Sequence, residues 1–270
     1  MADALDPIDE HFTRDWTEWR AEWERNLTAP HGWLSARALH WLDDAPRRRP
    51  GLPGRWSQDH DAVVVDPEGT EMSFDGETFR STRRLPLAGG PDDRRVTAGD
   101  LEIGITHRGT YLILVYDPDA PARREFRGVP TFAPSPDWVL TGHYEPYESS
   151  RTVSLRPVDP NLDEHAHDTP GHVRFTYGGH THTLQLIRSG GMPIAVFTDG
   201  TSGTTTYAAG RSLPITDIGD DGRVRLDFNR TVNLPCAFSD KFPICPVPPP
   251  GNRLPFPVEA GERTPREKTG

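Results

Sequence analysis

The sequence predicts a mainly β (α+β) protein: an antiparallel β-barrel or sandwich, with two N-terminal helices packed on it and a proline-rich C-terminal strap. Two observations carry that expectation. From about Val63 the apolar residues recur in short runs separated by Gly, Asp and Pro clusters, which is the spacing of an all-β unit. No strands alternate with long helical patterns, which argues against doubly wound and α/β-barrel folds. The 28 prolines add many turns and few long helices.

The helices come first. Asp6 caps a helix that has Pro7 at its first position, and Ile8, Phe12, Trp16, Trp19, Trp23 and Leu27 then form one apolar stripe. Three tryptophans on a stripe suit a ligand groove or a helix packed against a sheet, and the area they bury favours packing. Glu10, Arg14, Glu18, Arg20, Glu22 and Glu24 fall largely on the other faces. Trp33 to Leu42 predicts a second, shorter helix capped by Ser35 and ended by Pro46 and Pro50. The expected organisation is a helical lead over 1–50, a β body with its strap over 55–262, together one domain, and a disordered tail over 263–270.

The strands are expected at Val63–Val65, Met72–Phe74, Leu101–Thr106, Tyr111–Tyr116, Trp138–Tyr144, Thr152–Leu155, Val173–Tyr177, His182–Ile187, Ile194–Thr198 and Val224–Phe228. His107-Arg108-Gly109-Thr110 and Tyr177-Gly178-Gly179-His180 read as hairpin turns. Phe242, Ile244, Val247, Leu254 and Phe256 give the proline-rich segment 243–257 anchors that a solvated linker would lack.

Composition excludes several partners. A net charge of −10 repels phosphate backbones and anionic headgroups, and the basic triplet Arg47-Arg48-Arg49 reads as a solvated loop, so neither nucleic acid nor membrane is an expected partner. The start of the chain has no basic, apolar leader and no later run suits a bilayer span, which predicts a cytoplasmic protein. In a reducing compartment Cys236 and Cys245 are expected as free thiols, and the glycosylation patterns at Asn26 and Asn229 are idle. A hydrophobic content of 34% is enough for a core under a very polar surface.

No phosphate-cradling glycine motif or helical zinc-protease motif occurs, and no cofactor is expected. Gly200-Thr201-Ser202-Gly203 lacks the spacing of a nucleophile elbow, which leaves Ser202 a weak candidate nucleophile; a turn after which Thr204 to Thr206 begin a strand explains the segment about as well. His165, His167, His172, His180 and His182 crowd together, and His180 and His182 would share one face of a strand as metal ligands do. The ligand spacing is incomplete, so a metal-dependent enzyme built on residues 165–182 stands only as an alternative, and His165 and His167 are expected in an exposed, flexible loop.

The densest concentration of special residues is Leu226 to Phe238, running on to Cys245-Pro246. With Ile194 to Asp199, Thr206 to Leu213 and Ala260-Gly261-Glu262, it resembles a bacterial family known as domain of unknown function 1684. The resemblance runs from about Trp19 to Glu262 and is most specific in Asp227-Phe228-Asn229-Arg230 and the two cysteines with their prolines. Leu234 stands where the family usually has a second proline, and Val232 where an aromatic is common. The resemblance implies membership and no reaction.

The residues themselves suggest the binding, and on a further option the transformation, of a small polar or anionic molecule at the 199–211 and 227–236 segments. Asp199, Tyr207, Arg211, Asn229 and Asn233 are the candidate ligand-binding residues. Arg211 offers a charged fork for a carboxylate or phosphate, and the asparagines both donate and accept. Cys236, Asp227 and His143 are candidate catalytic groups, with His143 as base to a Cys236 nucleophile. The structural alternative is an Arg211–Asp227 pair strapping the last strand to the body, in a non-catalytic interaction module.

Overall fold

The computed structural model describes residues 7–87, 94–266 and 268. The helix α1 spans Pro7–Leu27, and the tryptophan stripe is its less exposed side. The proposed cap, Asp6, lies outside the described residues. Arg20 departs from the expectation: it is buried on the stripe side, drawn in by an ion pair to Glu262 described below. The chain divides into two compact units, one of Glu24–Arg127 and the other of Met1–Trp23 with Gly128–Thr269.

The Glu24–Arg127 unit contains β1 (Ala36–Trp41), β2 (Arg47–Arg49), β3 (Leu52–Asp59), β4 (Ala62–Asp66), β5 (Met72–Phe74), β6 (Glu77–Phe79), β7 (Arg83–Pro86), β8 (Arg94–Ala98), β9 (Leu101–Arg108), β10 (Thr110–Tyr116) and a short helix α2 (Pro121–Glu125). A six-stranded sheet, β1-β10-β9-β8-β5-β6, and a four-stranded sheet, β2-β3-β4-β7, share one apolar cluster that includes Trp56, Val63, Leu85, Ile103 and Ile113. The hairpin at Gly109 forms as expected, with Arg108 opposite Thr110. The second helix does not: only Trp33–Ser35 makes a 3₁₀ turn, and the following residues are β1, with Leu39 opposite Leu114 and His40 opposite Ile113. The helix propensity of Ala36 to Trp41 is worth a few tenths of a kcal/mol per residue, about what pairing with the apolar strand β10 overrides. The arginine triplet is strand β2 rather than a loop, paired to β3, with Arg48 ion-paired to Glu68 at 2.7 Å.

The second unit contains β11 (Val139–Leu155), β12 (His165–Tyr177), β13 (His180–Gln185), β14 (Ile187–Ser189), β15 (Met192–Phe197), β16 (Arg211–Pro214), β17 (Arg223–Asp227) and β18 (Val232–Asn233). Two four-stranded sheets, β13-β12-β11-β17 and β14-β15-β16-β18, face a common core of Val173, Phe175, Leu184, Ala195, Phe197, Leu213 and Phe228. All pairings between these strands are antiparallel, and the Gly178-Gly179 turn sets Tyr177 opposite His180. Two expected strands fuse into β11, whose register shifts between Pro146 and Arg151.

His165 and His167 are not in a flexible loop but in β12, opposite Leu155 and Val153, because the long β11 offers a backbone edge that far out. Thr204 to Thr206 do not begin a strand either; their amides all donate to Thr201 O, closing a turn, and the next strand starts at Arg211. The proline-rich segment is an ordered strap: Val247 N donates to Arg156 O, Leu254 N to Thr198 O and Gly200 N to Phe256 O. Among the described residues no helix is long and apolar enough to cross a membrane.

Candidate functional site

Arg211 opens β16 and Asp199 follows β15, so antiparallel pairing of the two strands brings their ends together. The guanidinium Nη2 donates to Asp199 Oδ2 at 2.9 Å and to Val258 O at 2.9 Å, and Nη1 donates to Ala260 O at 2.6 Å and Glu262 O at 2.9 Å. Burial pulls the arginine's pKa below its usual value, opposed by the Asp199 carboxylate. Asp199 Oδ1 accepts from Thr201 N, Thr201 Oγ1 and Val258 N. The structural alternative pairs Arg211 with Asp227. Instead Asp227 ends β17 in the other sheet and pairs with Arg225 at 3.1 Å and Arg230 at 3.5 Å.

Asn229 lies in the 3₁₀ turn after β17. Its amide group clasps the backbone of Ser135, accepting from Ser135 N and donating to Ser135 O, both at 2.9 Å. A further donation reaches Asp227 Oδ1 at 2.9 Å, and Trp16 Nε1 donates to the Asn229 carbonyl at 3.1 Å. Asn233 in β18 donates from N and Nδ2 to Glu262 Oε2, while Glu262 Oε1 accepts from Arg20 Nη1 at 2.6 Å and Trp23 Nε1 at 2.9 Å. Thus α1, β18 and the end of the strap meet on one buried carboxylate.

Tyr207 donates its hydroxyl to Cys236 O at 3.1 Å and is half-buried; burial first, and then the neighbouring Cys236, push its pKa up. Cys236 and Cys245 are both buried free thiols. The structure does not bring His143 there: it stands exposed on β11, in an open groove of about 460 Å3 with Glu145, Arg174 and Arg223. His182 packs its ring near Phe175 and Phe256, and His180 is exposed. Among the described residues no group of three or more His, Cys, Asp or Glu side chains is placed to hold a metal ion.

Open space adjoins this network at Asp227. A cavity of about 120 Å3 is lined by Trp19, Pro214, Thr216, Asp217, Arg225, Asp227 and Arg230. Arg230 lies over the Trp19 ring, 5.5 Å from its centre, and its Nε is out of solvent with no hydrogen bond among the described residues. Asp217, exposed at the rim, has φ of 56°, a left-handed conformation that Asp tolerates better than most residues. Sequence reasoning missed Trp19, Arg225 and Arg230 as site residues. Only the tryptophan stripe and the density of charge after Val224 signalled them, because the pocket joins a helix to a strand some two hundred residues later.

A family model described as a protein of unknown function, DUF1684, matches residues 124–263, which contain most of this network. The expected resemblance reached back to about Trp19, and residues 19–123 lie outside the matched range. Among solved structures, the chain is similar to an uncharacterized protein of Haloarcula marismortui determined by solution NMR, at 30% identity, covering 53% of this chain and 80% of that one, with a TM-score of 0.43. Comparison with curated proteins returns no match.

Proposed function

The chain belongs to the DUF1684 family of proteins of unknown function, and from that premise we propose that it binds a small polar molecule carrying a carboxylate or phosphate in the pocket between Trp19, Arg225 and Arg230. The observation that carries this reading is the Arg230 guanidinium, whose Nε is out of solvent and makes no hydrogen bond, its ion-pair contact with Asp227 Oδ2 being as long as 3.5 Å. A planar fork with donors left over is a receptor for carboxylate or phosphate oxygens. Arg225, which donates to the same Asp227 Oδ2 at 3.1 Å, supplies a second fork.

Charge and size narrow the ligand. Two arginines and two aspartates line the space, and Asp227 is already engaged by both arginines. Asp217 lines the pocket with no ion pair among the described residues, its Oδ2 accepting from Thr216 Oγ1 at 3.1 Å, so a ligand with an ammonium or hydroxyl group beside its acid group satisfies both ends. A cavity of about 120 Å3 is well below the ~300–1,000 Å3 of drug-sized ligands, which favours a molecule of amino-acid or hydroxy-acid size. In this reading Asp199, Arg211, Asn229 and Asn233 hold the walls and do not touch the ligand.

The test is isothermal titration of the full chain with inorganic phosphate, simple monocarboxylates, hydroxy acids and amino acids. Binding of at least one class that is lost in Arg230→Gln supports the reading, and Asp217→Asn should lessen the advantage of ligands with an ammonium group. Absence of heat with every class, or binding indifferent to Arg230→Gln, would overturn it.

A further inference from the structure

The outer face of the sheet β13-β12-β11-β17 carries a row of basic side chains. Antiparallel register sets His143 of β11 directly opposite Arg223 of β17 on one side and Arg174 of β12 on the other. All three are exposed, while Val224, Val173 and Phe175, which alternate with them, are buried in the core. Basic groups set directly opposite one another stabilise nothing in a sheet, so the row has no role in holding these strands together. Two residues along, Thr141 of β11, Thr176 of β12 and its partner Thr181 of β13 form a row of exposed hydroxyls. An open groove of about 460 Å3 is lined by both rows.

The His143 ring is seated in place. A Cβ on Gly222, which has φ of +79°, would stand 2.7 Å from His143 Cε1 and 3.1 Å from its Nε2, so the ring lies where only a glycine leaves room. Tyr144 N donates to the Gly222 carbonyl at 2.7 Å and fixes that turn against β11. The acids nearby leave donors over. Glu145 Oε2 accepts from Arg174 Nη2 at 3.2 Å and stands 3.0 Å from His172 Nε2, and Asp221 meets Arg223 at its Nε, at 3.3 Å. Among the described residues, Nε and Nη1 of Arg174, both Nη atoms of Arg223 and the His143 ring make no hydrogen bond within the protein.

We propose that this groove binds a small phosphomonoester with a hydroxyl-bearing body, of the chemical class of the sugar phosphates. The phosphate is held between the Arg174 and Arg223 forks and over His143, whose imidazole has an N–H to donate even when neutral. Strands about 4.8 Å apart place the two arginine backbones roughly 10 Å apart across β11, within reach of two long side chains converging on one phosphate. Thr141, Thr176 and Thr181 then meet the body of the ligand, donating to and accepting from its hydroxyls. The volume lies within the ~300–1,000 Å3 of small-molecule sites. A net charge of −10 works against an extended polyanion and favours a small one. The lining shares no residue with the pocket at Arg230, so the two sites are tested independently.

The experiment is isothermal titration of the full chain with glucose 6-phosphate, glycerol 3-phosphate, glucose and inorganic phosphate. Saturable binding of at least one ester is expected, with glucose silent and inorganic phosphate weaker than the ester. Arg174→Gln and Arg223→Gln should each weaken ester binding about tenfold or more, as loss of a charge-assisted hydrogen bond does, while Arg230→Gln leaves it unchanged. Thr176→Val should weaken the ester and leave inorganic phosphate as it was. Both arginines are exposed, and an unchanged unfolding midpoint verifies that each variant folds. No heat with either ester, binding that survives both arginine substitutions, inorganic phosphate bound as tightly as the ester, or binding lost in Arg230→Gln and kept in Arg174→Gln would each overturn the proposal.

Discussion

Arg211 and Asp199 face each other at 2.9 Å with both side chains wholly out of solvent. Removing one partner of such a pair leaves a charge buried and unpaired, which costs about 3–5 kcal/mol. Arg211→Met is therefore expected to destabilise the protein by that amount in a denaturant titration with an unchanged m-value. A near-neutral result would mean that Arg211 is held in place for something other than the fold.

Gly261 has φ of +73°, and a Cβ there would stand 2.5 Å from Thr231 O and 2.9 Å from Phe228 O. Its neighbours Ala260 and Glu262 both present carbonyls to Arg211. Gly261→Ala combines backbone strain with a clash against backbone that cannot move aside, for an expected loss of about 1–3 kcal/mol by thermal or denaturant unfolding. Gly109→Ala, at a positive φ but in open space, should cost less.

What the sequence revealed divides along physical lines. The α1 stripe, the β9–β10 and β12–β13 hairpins and the ordered strap were legible because they rest on local signals: aromatic periodicity, Gly at turns, and apolar anchors between prolines. Strand β1 was not, since Ala36 to Trp41 has no strong β signal of its own and is extended only because β10 offers it an edge. Strand β3 hid behind Pro53 and Gly54, which usually mark breaks. The polar cluster was visible as composition, and its wiring was not. Asp199 rather than Asp227 pairs with Arg211 because β15 and β16 are neighbours and β17 lies in the other sheet, a fact of tertiary order that no spacing encodes.

The most direct measurement of the central claim is an NMR titration of protein labelled with nitrogen-15, following the arginine Nε–H and tryptophan indole signals as a small acid is added. The pocket reading predicts saturable shifts of Arg230, Arg225 and Trp19 together, while the Arg211 signal, enclosed by Asp199, Val258, Ala260 and Glu262, stays in place. Saturable shifts at Arg211 with none at Arg230, or no shift at either with phosphate, hydroxy acids or amino acids at millimolar concentration, would contradict it.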